Sequence, residues 1–109
     1  MKLALKQLLA FRDERDWAQF HDPKNLAAAL SIEAAELNEV FLWKECKDSM
    51  NVDLARVREE LADVFAYALL LADAFDLDAE EIVLAKIQLN KQKYPVEKSR
   101  GVSTKYNEL

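Results

Sequence analysis

Leu26-Ala27-Ala28-Ala29-Leu30-Ser31-Ile32-Glu33-Ala34-Ala35-Glu36-Leu37-Asn38-Glu39-Val40-Phe41 reads as part of one long amphipathic helix. Ala, Leu and Glu are strong helix formers, and no Gly or Pro interrupts the run. At 100° per residue, Leu26, Leu30, Leu37, Val40 and Phe41 share a face, and Glu33 projects from the middle of it. An ionised carboxylate in an apolar setting is unfavourable by several kcal/mol, so Glu33 must be paired, neutralised or bound to a cation. A later stretch repeats the pattern. Glu60-Leu61-Ala62-Asp63 has the spacing of Glu33-Ala34-Ala35-Glu36, and Glu60, Asp63 and Tyr67 form an i, i+3, i+7 row. That row borders an apolar face of Leu54, Val57, Leu61, Val64, Phe65, Ala68 and Ala72. Two such helices packed together bring four carboxylates into one cleft.

Working outward, Leu5, Leu8, Leu9 and Arg12 recur at helical spacing and predict a first helix over about Leu3 to Trp17. A polar and aromatic segment, Asp16 to Asn25, follows it. Asp22 before Pro23 reads as an N-cap and first turn, which starts the second helix and carries it to about Trp43. Lys44 to Asn51 is a turn. The third helix is expected over Val52 to Phe75, roughly 36 Å long at about 1.5 Å per residue, and Asp76-Leu77-Asp78 ends it. Asp78 with Glu81 has the form of a capping box opening a fourth helix, Ala79 to Gln92, stopped by Pro95. The architecture is therefore expected to be all-α, a four-helix bundle over residues 1–95 with an extended tail over 96–109.

The chain has 109 residues, 51% of them hydrophobic, with a single Gly and two Pro, which suits one helical domain. A net charge of −5 argues against a nonspecific grip on nucleic acid. Cys46 is the only cysteine, so no disulfide can form within the chain. No apolar run approaches the length of a membrane span, and no leader-like segment is recognised at the N-terminus. A soluble cytoplasmic protein is the expectation. Ile32, Leu42, Leu70 and Leu71 add apolar surface beyond what one short bundle hides, so self-association is expected.

Oxygen-only ligands select hard cations, and Mg²⁺ or Mn²⁺ held by carboxylates commonly completes its shell with water and substrate phosphates. The acidic pairs thus point to chemistry at phosphate. A di-iron bundle requires Glu-x-x-His, and the only histidine, His21, lies outside both acidic helices. The plain alternative is a set of solvated surface acids; Glu39, Glu45 and Glu59 fit that description.

With Glu33-x-x-Glu36 followed by Glu60-x-x-Asp63, the chain resembles the MazG-like all-α nucleoside triphosphate pyrophosphohydrolases, most closely the branch that includes dCTP pyrophosphatase. The likeness extends to Arg15-Asp16-Trp17-Ala18-Gln19-Phe20-His21, to Asn25-Leu26, to Phe41-Leu42-Trp43, to Lys86 through Pro95, and to Arg100-Gly101 and Lys105-Tyr106. The resemblance implies cleavage of a (d)NTP between the α and β phosphates, giving a monophosphate and pyrophosphate. It implies Glu33, Glu36, Glu60 and Asp63 as Mg²⁺ ligands and catalytic acids. Lys86, Asn90, Lys93 and Tyr94 match a family segment offering groups to sugar and phosphates, and Trp17, His21, Trp43 and Tyr67 are candidates for the base. It also implies a homodimer or homotetramer. Departures are Ala35, where relatives often have glycine, and a short connection from Trp43 to Val52.

Two other readings differ in kind. One is a non-enzymatic helical interaction module whose acidic cleft binds a basic protein. The other is a hydrolase for a different phosphoanhydride such as phosphoribosyl-ATP, against which Trp17 and Trp43 weigh.

Overall fold

Each long helix after the first begins on an aspartate. In the computed structural model, which describes residues 1–109, the carboxylate of Asp22 accepts from the backbone N–H of Asn25, that of Asp53 from Ala55, and that of Asp78 from Glu81. These bonds satisfy N–H groups that a helix start leaves without internal partners. The fold is all-helical and has no strand. Its helices are α1 (Lys2–Glu14), α2 (Pro23–Glu39), α3 (Leu54–Ala74), α4 (Ala79–Lys93) and the single turn α5 (Val96–Ser99). Short 3₁₀ turns cover Ala18–Phe20, Cys46–Asp48 and Tyr106–Glu108.

Two helices end earlier than the apolar periodicity predicts. In α1 the backbone N–H of Trp17 donates to the carbonyl of Arg12 at 3.0 Å, and that of Asp16 to Asp13 at 3.1 Å. With Asp16 at φ 55°, this is a Schellman ending with Asp where Gly is usual. Trp17 therefore leaves the helix and packs edge-on against Phe11, ring centroids 5.7 Å apart. In α2 the ladder tightens after Glu39: Val40, Phe41 and Leu42 donate to Leu37, Asn38 and Glu39, three residues back. Trp43, at φ 66°, then turns the chain away.

Tertiary packing divides the chain into two compact units, Met1–Asp76 and Leu77–Leu109. In the first, α2 packs against α3, and α1 lies more lightly on α3. Leu26, Val40, Leu69, Leu70 and Ala72 are its buried core, Leu26 the most enclosed at 2% exposure. The core of α3 thus lies in its C-terminal half, while Leu54, Leu61 and Phe65, expected on the buried face, are exposed. In the second unit, Gly101 takes φ 74°, Tyr106 meets Tyr94 edge-on at 6.1 Å, and the Lys93 ammonium lies 4.8 Å from the Tyr106 ring centre.

Candidate metal centre and adjoining cavity

The packing of α2 on α3 sets Glu33, Glu36 and Glu60 together, with a carboxylate oxygen from each lying within 4.8 Å of the others. Glu33 and Glu36 are one turn apart on α2, and Glu60 reaches them from α3. Glu33 Oε2 is sealed from solvent and has no hydrogen-bond partner. Glu33 sits in the apolar stripe between buried Leu26 and buried Val40, as its angular position requires.

The electrostatics follow from crowding. Hydrogen bonding with Glu33 and then the Glu33 charge push the Glu36 carboxyl above its ordinary value. Burial does the same to Glu60, reinforced by hydrogen bonding and charge from Glu36 and opposed by Arg56. Glu36 and Glu60 favour their protonated forms because ionised carboxylates at this range repel. A cation relieves all of these at once. Three converging carboxylates, one of which carries an orphaned oxygen, could hold a divalent metal, and an oxygen-only donor set suits a hard one.

Asp63 lies one turn beyond Glu60 on α3, close enough for its charge to raise Glu60 further. It is not one of the three converging acids. Instead it lines a cavity of about 130 Å³ with Trp17, His21, Tyr67, Phe11 and Arg12. His21 and Tyr67 meet edge-on at 6.4 Å, and His21 Nδ1 is buried without a hydrogen-bond partner. The loop carrying Trp17 and His21 is tied at both ends. Gln19 donates to the carbonyl and carboxylate of Asp16, and the Asn25 amide donates to the Phe20 carbonyl and to Asp22.

Of the four aromatic candidates, Trp17, His21 and Tyr67 are gathered here, whereas Trp43 is 92% exposed and outside the cavity. Lys86, Asn90, Lys93 and Tyr94 lie on α4 or at its end, in the second unit, with Lys86, Asn90 and Lys93 sharing a helix face. Arg12 joins them in the cavity, and its only signal in the sequence is that of a cation in the stripe Leu5, Leu8, Leu9, Arg12, of the kind that marks Glu33.

The sequence pattern that defines the MazG-like family matches residues 28–109, a span that holds all four acids. The chain belongs to the MazG-like family. Among its relatives are the dCTP pyrophosphatase 1 proteins of Rattus norvegicus and Homo sapiens, 41% and 40% identical over 104 residues. In both cases the alignment takes in 91% of this chain and 61% of the relative, so this MazG-like chain spans about three-fifths of their length. A pyrophosphatase of known structure from Archaeoglobus fulgidus superposes with a TM-score of 0.82 at 41% identity, covering 87% of this chain and 92% of that one. No helix of the MazG-like chain is long and apolar enough to cross a membrane.

Proposed function

We propose that this chain is a Mg²⁺-dependent nucleoside triphosphate pyrophosphohydrolase that cleaves deoxynucleotides of the dCTP kind to monophosphate and pyrophosphate, clearing or balancing the nucleotide pool. The observation that carries the reading is the convergence of Glu33, Glu36 and Glu60, with its orphaned Glu33 oxygen, in a chain of this family. Its similarity to dCTP pyrophosphatases and to an archaeal pyrophosphatase supports the same activity.

In this reading Glu33, Glu36 and Glu60, with Asp63 beside them, hold Mg²⁺, and Mn²⁺ fits the same oxygens. The bound ion supplies charge neutralisation at the polyphosphate and eases deprotonation of a water. One of the acids takes the proton as the water oxygen attacks phosphorus and the bond between the α and β phosphates breaks. Trp17, His21 and Tyr67 enclose the base, and Trp43 supplies a further aromatic face. On the strength of the resemblance, Lys86, Asn90, Lys93 and Tyr94 contact sugar and phosphates. The active form is a homodimer or homotetramer. The exposed free thiol of Cys46 suits the reducing cytoplasm.

The test is to incubate the purified protein with Mg²⁺ and each common dNTP and NTP, resolving pyrophosphate from orthophosphate, with Glu36→Gln alongside. Monophosphate and pyrophosphate from a subset of nucleotides are expected, with a loss of roughly a hundredfold or more in the variant. No turnover of any nucleotide would return the chain to the non-enzymatic interaction module.

A further inference from the structure

We propose that Arg12 is a specificity-determining residue that reads the nucleobase and selects a pyrimidine presenting two adjacent hydrogen-bond acceptors, as cytosine does. This rests on the nucleotide reading above and names the residue that sets its base preference.

Arg12 stands in the apolar stripe of α1, where a charge is out of place unless it has work to do. Its side chain is 24% exposed. It lines the cavity between α1 and α3 opposite Asp63 and Tyr67. Its Nε donates to Asp13 Oδ1 at 2.9 Å, which orients the guanidinium and leaves both terminal amino groups without a protein partner. Arg stays protonated and can only donate, through a planar fork that fits paired acceptors.

The cavity's place along α3 says which part of a nucleotide it meets. Glu60 belongs to the acidic cluster, and Asp63, Tyr67 and Leu70 follow on the next turns. The ten residues from Glu60 to Leu70 span roughly 15 Å of helix axis. A polyphosphate held at the acids therefore directs its nucleoside end toward the cavity. At about 130 Å³ the space is well below the ~300–1,000 Å³ of pockets that enclose a whole drug-sized ligand, and it suits one planar ring between aromatic walls. Cytosine offers N3 and O2 side by side to the fork. Thymine and uracil present an N3–H between two carbonyls, so donor faces donor. Guanine has a suitable acceptor pair but brings two rings.

The experiment measures kcat/KM for dCTP, dTTP and dUTP with wild type, Arg12→Gln and Arg12→Lys, each checked for wild-type helicity by circular dichroism. A bidentate arginine–base pair discriminates by a factor of roughly 10–100, so Arg12→Gln is expected to lower the dCTP-to-dTTP ratio by that factor through loss on dCTP alone. Arg12→Lys keeps the charge but not the fork and is expected to lose the preference too. A parallel fall for all three nucleotides, an unchanged ratio, or full retention by Arg12→Lys would overturn the assignment. If wild type turns over no nucleotide, the enzymatic reading fails, and calorimetric titration with dCMP and dTMP decides the base reading separately. A dCMP preference that disappears in Arg12→Gln upholds it, and the absence of any preference in wild type overturns it.

Discussion

Glu36 has an acid on either side, Glu33 on its own helix and Glu60 across the interface, and that arrangement sets how stability responds to pH. Folding raises the affinity of Glu36 and Glu60 for protons above the ordinary value of 4.5. The folded state thus binds these protons more tightly than the unfolded chain does. Their stabilising contribution is complete below about 4.5 and is lost as pH rises through the raised folded-state values. In the presence of a chelator, wild type should therefore gain more thermal stability on going from about pH 7.5 to about pH 5 than Glu36→Gln does, and at about pH 7.5 the variant should melt higher. Added Mg²⁺ should reverse the order at the higher pH, because it stabilises only a state with intact ligands. Thermal melts of the two proteins with and without the ion check this. A Glu36→Gln protein that melts lower than wild type at both pH values in chelator would show that the acids are not in conflict. Trp43 tells a related story: a large aromatic with φ 66° and 92% exposure gains little from packing within the chain.

Among the elements, the junction of the Trp17–His21 loop with α2 does the most to place the wall of the cavity that Trp17 and His21 line. Asp22 caps α2 through the Asn25 N–H at 2.9 Å and holds the Asn25 side chain at 3.0 Å, and that amide in turn grips the carbonyl of Phe20. Asp22→Ala removes the cap and frees the loop from the helix start. The expected cost is about 1 kcal/mol, a fall in Tm of roughly 4–8 °C for a domain of this size, and KM should rise more than kcat falls because His21 is less well placed. A thermal melt with steady-state kinetics checks both parts; a loss of kcat at constant KM would place the loop's role at the chemistry instead. Asp22-Pro23 and Asp78 were legible as helix starts because capping is a local transaction between a side chain and nearby N–H groups. Glu33 was legible because its angular position conflicts with its charge. The end of α1 was not legible, since Asp16 supplies the left-handed residue where glycine would have announced it. The gathering of Trp17, His21 and Tyr67 with Arg12 was also out of reach, because it depends on how α1 is laid on α3, and no spacing within either helix encodes that.

At the scale of the whole molecule, apolar surface that the chain does not cover is the feature that demands an account. The apolar face of α3 runs its full length in sequence, yet only its C-terminal half reaches the core: Leu69, Leu70 and Ala72 are buried, while Leu61 remains 38% and Phe65 50% exposed. Ile32 on α2 is exposed too. Apolar side chains arrayed at helical spacing on a long, regular helix gain stability only if another surface covers them. A second copy in a closed C₂ or D₂ arrangement would supply that surface from the same residues. Sedimentation equilibrium should therefore give a mass of two or four times the 12.5 kDa chain. Burying a phenylalanine is worth about 1.5–3 kcal/mol, so Phe65→Glu should weaken association at least tenfold or so, moving the mass toward that of one chain. Phe65 contributes little to the core of its own chain, so helicity by circular dichroism should be kept. A wild-type protein that sediments as a single chain at high concentration would show that α3 leaves this face to solvent or to an unlike partner. A Phe65→Glu protein that loses helicity and association together would show that the single chain depends on its neighbour to fold.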